Sequence, residues 1–100
     1  MYYLYLLRTD SGALYTGITT DPARRLSEHR GERAGGARYT RSHGAAEMAA
    51  VWEIGSRSAA SRLEYRVKRL THAEKERLIA ENAAGDIDLR GAPERLPLFL

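Results

Sequence analysis

The sequence contains no cysteine, which excludes disulfides, thiolate catalysis and a cysteine-ligated zinc centre. No apolar run approaches the ~20 residues of a membrane-spanning helix, and the N-terminus lacks the basic-then-apolar layout of a secretory signal. A cytoplasmic chain with no membrane partner is therefore expected. Lysine is scarce: fourteen of the sixteen basic residues are arginine, whose planar fork suits two-point contact with phosphate. At 100 residues the chain is long enough for one modest core and too short for two.

The net charge of +3 is unevenly spread. From Pro22 to Arg69 there are eleven Lys/Arg against five Glu, a local balance of +6. From Thr71 to Leu100 there are four Lys/Arg against six Asp/Glu, a balance of −2. Such a basic middle is the footprint expected of a polyanion partner. A solvated surface laced with ion pairs has the same composition.

The pattern of elements reads ββαβαα. Tyr2 to Arg8 is rich in Tyr and Leu and predicts a strand. Thr9 to Ala13 is turn chemistry, and Leu14 to Thr19 predicts the second strand of a hairpin. Asp21-Pro22 predicts a helix start, with a capping carboxylate ahead of a first-turn proline, and Gly31 its stop. Residues 31–45 hold four of the nine glycines and several arginines, and read as a mobile basic loop. Met48 to Ile54 predicts a third strand. Ser58 is placed to cap a helix with Leu63, Val67 and Leu70 at helical spacing. Thr71 and Glu74 form a capping box for a last helix ending near Gly85. The expectation is an α/β (α+β) fold: a small three-stranded, mainly antiparallel sheet flanked by helices. Residues 1–85 would form the module and 86–100 an extended tail, with Leu96, Leu98, Phe99 and Leu100 available to fold back on it.

Three groups of residues carry candidate chemistry. Four of the six tyrosines lie in the first hairpin. With a turn at Thr9–Ala13, Tyr5 falls opposite Gly17 and diagonal to Tyr15, about 7–8 Å apart at the backbone. Glycine there leaves room for something to approach Tyr5, although stacked β-favouring aromatics give the same pattern. On the first helix Arg25 and His29 share a face, and Arg24 and Glu28 another. Arg25 is a natural phosphate clamp. His29 can donate to phosphate or shuttle a proton, or simply rest as a cation near the helix C-terminus. Glu64 is the only acidic residue between Ser56 and Arg69, beside the apolar stripe of its helix. One carboxylate holds a magnesium ion only when phosphates and waters complete its shell; the alternative is an ion pair with Lys68.

In order along the chain, Tyr3-Leu4-Tyr5, Tyr15-Thr16-Gly17, Asp21 to His29 and Glu64 resemble the GIY-YIG nuclease superfamily, in particular its short stand-alone bacterial members. The densest match runs from Leu14 to His29, and the likeness covers roughly residues 1–80. The first tripeptide departs from the pattern, having Tyr in place of the glycine, and Asn82 is the only asparagine available for the family's late asparagine. The resemblance implies a metal-dependent endonuclease hydrolysing phosphodiester bonds. By it, Tyr5 and Tyr15 would orient or activate water, Arg25 would contact the scissile phosphate, His29 would assist, and Glu64 would hold one Mg²⁺ (or Mn²⁺). Arg24, Arg33, Arg38, Arg41 and Lys68 would grip the nucleic acid, DNA rather than RNA. A non-cutting nucleic-acid-binding module and a protein-interaction adaptor using the apolar tail are the alternatives.

Overall fold

The computed structural model describes residues 1–31, 45–91 and 94–97. Strand β1 (Tyr2–Thr9) lies at the centre, paired antiparallel with β2 (Leu14–Thr19) on one side and β3 (Ala45–Ile54) on the other. The turn between β1 and β2 closes through Thr9 N–H to Ala13 O and Gly12 N–H to Thr9 O, each 2.9 Å, with Gly12 at φ +88°. That turn sets Tyr5 opposite Gly17, as the sequence predicts.

Helix α1 (Pro22–His29) covers one face of the sheet; α2 (Arg57–Lys68) and α3 (His72–Glu81) cover the other. Successive β1 side chains alternate between these two sides, so Leu4, Tyr5, Leu6 and Leu7 are all buried. Leu4, Leu6 and Trp52 pack with Ala60, Val67 and Leu78 beneath α2 and α3. Tyr5, Leu7, Met48 and Val51 pack with Leu26 beneath α1.

The helix ends follow local chemistry, with two corrections. Asp21 caps α1 by accepting from Arg24 N–H at 3.1 Å, and Thr71 with Glu74 completes a capping box on α3. The α2 cap is Ser56 instead of Ser58: only Ser56 has the extended backbone that turns its hydroxyl onto Ala59 N–H, at 3.2 Å. Helix α3 stops at Asn82, not near Gly85. Asn82 takes the left-handed conformation (φ +59°) that a short polar side chain tolerates, and its Oδ1 accepts from Trp52 Nε1 at 3.1 Å and from Arg95 Nη1 at 3.0 Å.

Beyond α3 the chain is extended but paired. Strands β4 (Ala83–Ala84) and β5 (Ile87–Asp88) form a small hairpin, and β6 (Glu94–Arg95) adds a fourth strand beside β3, giving the order β2-β1-β3-β6. Leu96 reaches the cluster under α1, whereas Leu98, Phe99 and Leu100 lie outside the described residues. Arg95 lies over the Trp52 ring, 5.4 Å from its centroid, and donates to Ile79 O at the C-terminal end of α3. The negative end of that helix supports the half-buried cation.

Thr16 Oγ1 is the only buried side-chain polar atom among the described residues that has no hydrogen-bond partner. A buried hydroxyl without a partner costs on the order of 1–3 kcal/mol, and valine has nearly the same shape. Thr16→Val is expected to raise the unfolding free energy by about 1 kcal/mol. Urea denaturation checks this, and a lowered midpoint would contradict it.

Candidate active site

The site is built where β2, the edge strand, passes into α1. Tyr5 projects from β1 across β2, and its ring occupies the space above Gly17. A Cβ at Gly17 would collide with the Tyr5 hydroxyl and ring. The room that glycine leaves is therefore filled by Tyr5 itself, not by an incoming ligand. The phenol so placed meets His29 in the last turn of α1, with Tyr5 Oη and His29 Nε2 2.8 Å apart. Arg25, one turn earlier, donates from Nε to the same phenol oxygen at 3.4 Å. Tyr15 stands beside them, its ring edge-on to His29 at 5.2 Å between centroids.

Donor and acceptor roles follow from these contacts. A guanidinium can only donate, so the phenol oxygen accepts from Arg25; where the imidazole carries its proton on Nδ1, the phenol O–H donates to His29 Nε2. In that tautomer Nε2 is the acceptor; in the other, Nε2–H donates and the phenol oxygen accepts from both neighbours. The imidazole is fully buried, and burial, with the Arg25 charge adding to it, lowers the His29 pKa from 6.5 to about 4. This overturns the cationic reading: near neutral pH His29 is uncharged and unfit to neutralise phosphate.

Burial also raises the Tyr5 pKa above 10. The Arg25 bond and charge oppose that rise, while Tyr15 and the Glu64 carboxylate add to it. Alone, then, Tyr5 is not a ready phenolate, as direct deprotonation of water would need; its hydroxyl acts through its partner. Arg25 remains firmly charged: burial works against it, but the bonds to Tyr5 and Glu28 outweigh burial. Glu28 binds Arg25 at 2.9 Å and Arg24 at 3.5 Å, and the Arg25 hydrogen bond lowers its pKa.

Glu64 comes from α2 on the other face of the sheet, near enough for its charge to act on Tyr5. Its Oε2 pairs with Lys68 Nζ at 3.3 Å, so the ion pair foreseen from i,i+4 spacing is present. Lys75 of α3 was not singled out by the sequence. Its amine is half-buried, and burial first, then the Lys68 charge, lowers its pKa. The chain's only two lysines thus sit close to one another; their rarity among fourteen arginines was the available signal. Arg33, Arg38 and Arg41 lie outside the described residues, as does His43. His72, given no role from sequence, pairs with Glu76 at 3.3 Å.

No group of three or more His, Asp or Glu side chains able to hold a metal occurs among the described residues. The protein's own contribution would be the single carboxylate of Glu64, whose side chain is 23% exposed. A hard, hydrated cation such as Mg²⁺ fits that donor set, because waters and substrate phosphate oxygens fill its other positions. No helix among the described residues is long and apolar enough to cross a membrane.

Comparison with known proteins shows the family of the chain. A family model described as the GIY-YIG catalytic domain matches residues 1–77. A UPF0213 protein of Citrobacter koseri is 51% identical over 80 residues, covering 80% of this chain and 78% of its own. The UPF0213 protein YhbQ of Salmonella typhimurium is 49% identical over 83 residues, covering 83% and 81%. The solution NMR structure of a UPF0213 protein from Bacillus halodurans is similar with a TM-score of 0.51 at 37% identity, covering 93% of this chain and 89% of that one.

The depressed His29 pKa has a consequence for stability. Above pH 6.5 the imidazole is neutral whether the chain is folded or unfolded, and it contributes no pH dependence. Between 6.5 and about 4 the unfolded chain takes up a proton that the folded chain refuses, so stability falls as pH falls. The carboxylates with lowered pKa, such as Glu28 and Glu76, act below their ordinary value of 4.5. The urea midpoint of the wild type is therefore expected to drop from pH 6.5 towards 4.5, and that of His29→Gln to stay nearly flat over the same interval. Parallel profiles would show that His29 is not the buried neutral group.

Proposed function

The chain belongs to the GIY-YIG family, together with its UPF0213 relatives, and from that premise we propose that it is a metal-dependent endonuclease that hydrolyses phosphodiester bonds. The observation that carries the reading is the hydrogen-bonded line Arg25–Tyr5–His29: a fixed cation, a phenol and a neutral base joined through one oxygen.

The chemistry required is attack on phosphorus by water, with stabilisation of the added negative charge. The buried phenol cannot lose its proton to solvent cheaply, but it can pass it to His29 Nε2, 2.8 Å away. In the same motion the phenol oxygen takes the proton of the attacking water. Tyr5 is thus a relay between the attacking water and the imidazole. Arg25 favours phenolate character on Tyr5 and neutralises the non-bridging phosphate oxygens, the larger electrostatic contribution. Its side chain is 27% exposed, while Tyr5 and His29 are fully buried. Movement of the guanidinium from the phenol onto a phosphate would therefore also uncover the phenol oxygen. Tyr15, whose hydroxyl makes no hydrogen bond among the described residues, is placed to orient water or substrate.

Glu64 would hold the divalent ion, Mg²⁺ or Mn²⁺, which when bound supplies positive charge to the phosphate and the leaving oxygen. Lys68 would then exchange its carboxylate partner for a phosphate, joining Arg24 in gripping the strand. Arg33, Arg38 and Arg41 are proposed for the same role on sequence grounds. DNA is the substrate we favour over RNA.

A nuclease assay on single-stranded, duplex and branched DNA and on RNA, with Mg²⁺, Mn²⁺ or EDTA, tests the proposal. Products are expected with metal, none with EDTA, and losses on the order of 10²-fold or more for Arg25→Ala and Glu64→Ala. Cleavage at the wild-type level in both variants would overturn it.

A further inference from the structure

Tyr65 is the one large aromatic side chain the described residues leave open to water, with 63% of its surface exposed. It lies about 100° around α2 from Glu64, at the pole of the helix opposite Ala60 and Val67. Arg62, Arg66 and Arg69, all exposed, share that outer face with it. Arg69 is stacked on the Tyr65 ring, 5.5 Å from its centroid, and donates from Nη1 to the phenol oxygen at 2.9 Å, which fixes the plane of the ring. Beside them opens a cleft of about 480 Å³ with Leu70 and Glu74 among its walls and the β4–β5 turn at its far side. Arg66 donates to Asp86 O at 3.0 Å and so ties that turn to α2. The only lysine of α2, Lys68, lies between this face and Glu64 on the helix surface.

We propose that this outer face of α2 is a second nucleic-acid contact that takes an unpaired nucleotide of the substrate. The base would stack on Tyr65 at the mouth of the cleft, with its phosphates against Arg62 and Arg69. The inference rests on the nuclease reading for the identity of its ligand and adds to it a substrate class. An aromatic plate flanked by arginines matches the two parts of a single-stranded nucleotide, the π-face and the phosphate. A base stacked within a duplex offers neither face to such a plate, so the nucleotide must be unpaired. A second copy of the chain is disfavoured as occupant, since facing copies would bring six arginines together.

The test is fluorescence-anisotropy titration of a labelled short single-stranded oligodeoxynucleotide with the full chain in EDTA, alongside cleavage kinetics in Mg²⁺. Tyr65→Ala is expected to raise Kd roughly tenfold, the ordinary worth of one stacked base, while Tyr65→Phe keeps most of the affinity. In cleavage, Tyr65→Ala should raise KM and leave kcat close to wild type. Cleavage by the wild type with an unchanged KM and Kd in Tyr65→Ala would overturn this inference alone. Tyr65-dependent binding without cleavage in any metal would support it and remove the nuclease reading. No binding by the wild type, or a dimer in sedimentation that Tyr65→Ala abolishes, would overturn it in favour of another occupant.

Discussion

The site depends on one buried hydrogen bond, that between Tyr5 and His29. It joins residues 24 apart in sequence, and each side of it imposes a condition. For the phenol to reach across β2, residue 17 must have no side chain, and glycine meets that condition by lacking a Cβ. For the imidazole to be met there, α1 must begin immediately after β2. The Asp21 cap and Pro22 at the first turn fix that start. The two phases then coincide: strand alternation points Tyr5 to the α1 side, and helical spacing puts Arg25 and His29 on the same face.

The same burial that orders the pair determines its protonation. In water a phenol and an imidazole differ by several units of pKa; here burial pushes one up and the other down, and both are neutral near pH 7. Neither partner is a strong acid or base by itself. Their value lies in being joined beside Arg25, whose charge favours phenolate character on Tyr5. On the opposite face, Trp52, Asn82 and Arg95 form a comparable polar knot around the end of α3, and it anchors the last strand to the sheet instead of doing chemistry.

Much of this was legible in the residues, because local rules fix local features. The loop length and the period of two placed Tyr5 opposite Gly17, and the first helix and its cap followed from Asp21-Pro22 and Gly31. What the sequence could not show depends on the third dimension. A glycine opposite a tyrosine reads as open space until the ring is seen lying in it. His29 reads by helical spacing either as a phosphate donor or proton shuttle or as a cation near the helix end, since nothing local announces that a strand and a helix close over it. Ser58 reads as the cap on paper, and only the extended backbone of Ser56 shows that the helix starts there instead. Glu94 and Arg95 carry no strand signal, and they pair because Arg95 finds Asn82 and Trp52.

The central claim is that the Tyr5 hydroxyl carries the proton in phosphodiester cleavage, with His29 behind it. The most direct measurement is the single-turnover cleavage rate of Tyr5→Phe against wild type, with folding verified by circular dichroism and nucleic-acid affinity measured in parallel. Phenylalanine keeps the ring above Gly17 and removes only the oxygen. A fall in rate of about 10²–10⁴-fold with affinity nearly unchanged is the predicted result. Cleavage at the wild-type rate would contradict the account, leaving the Tyr5–His29 pair as a structural bond alone.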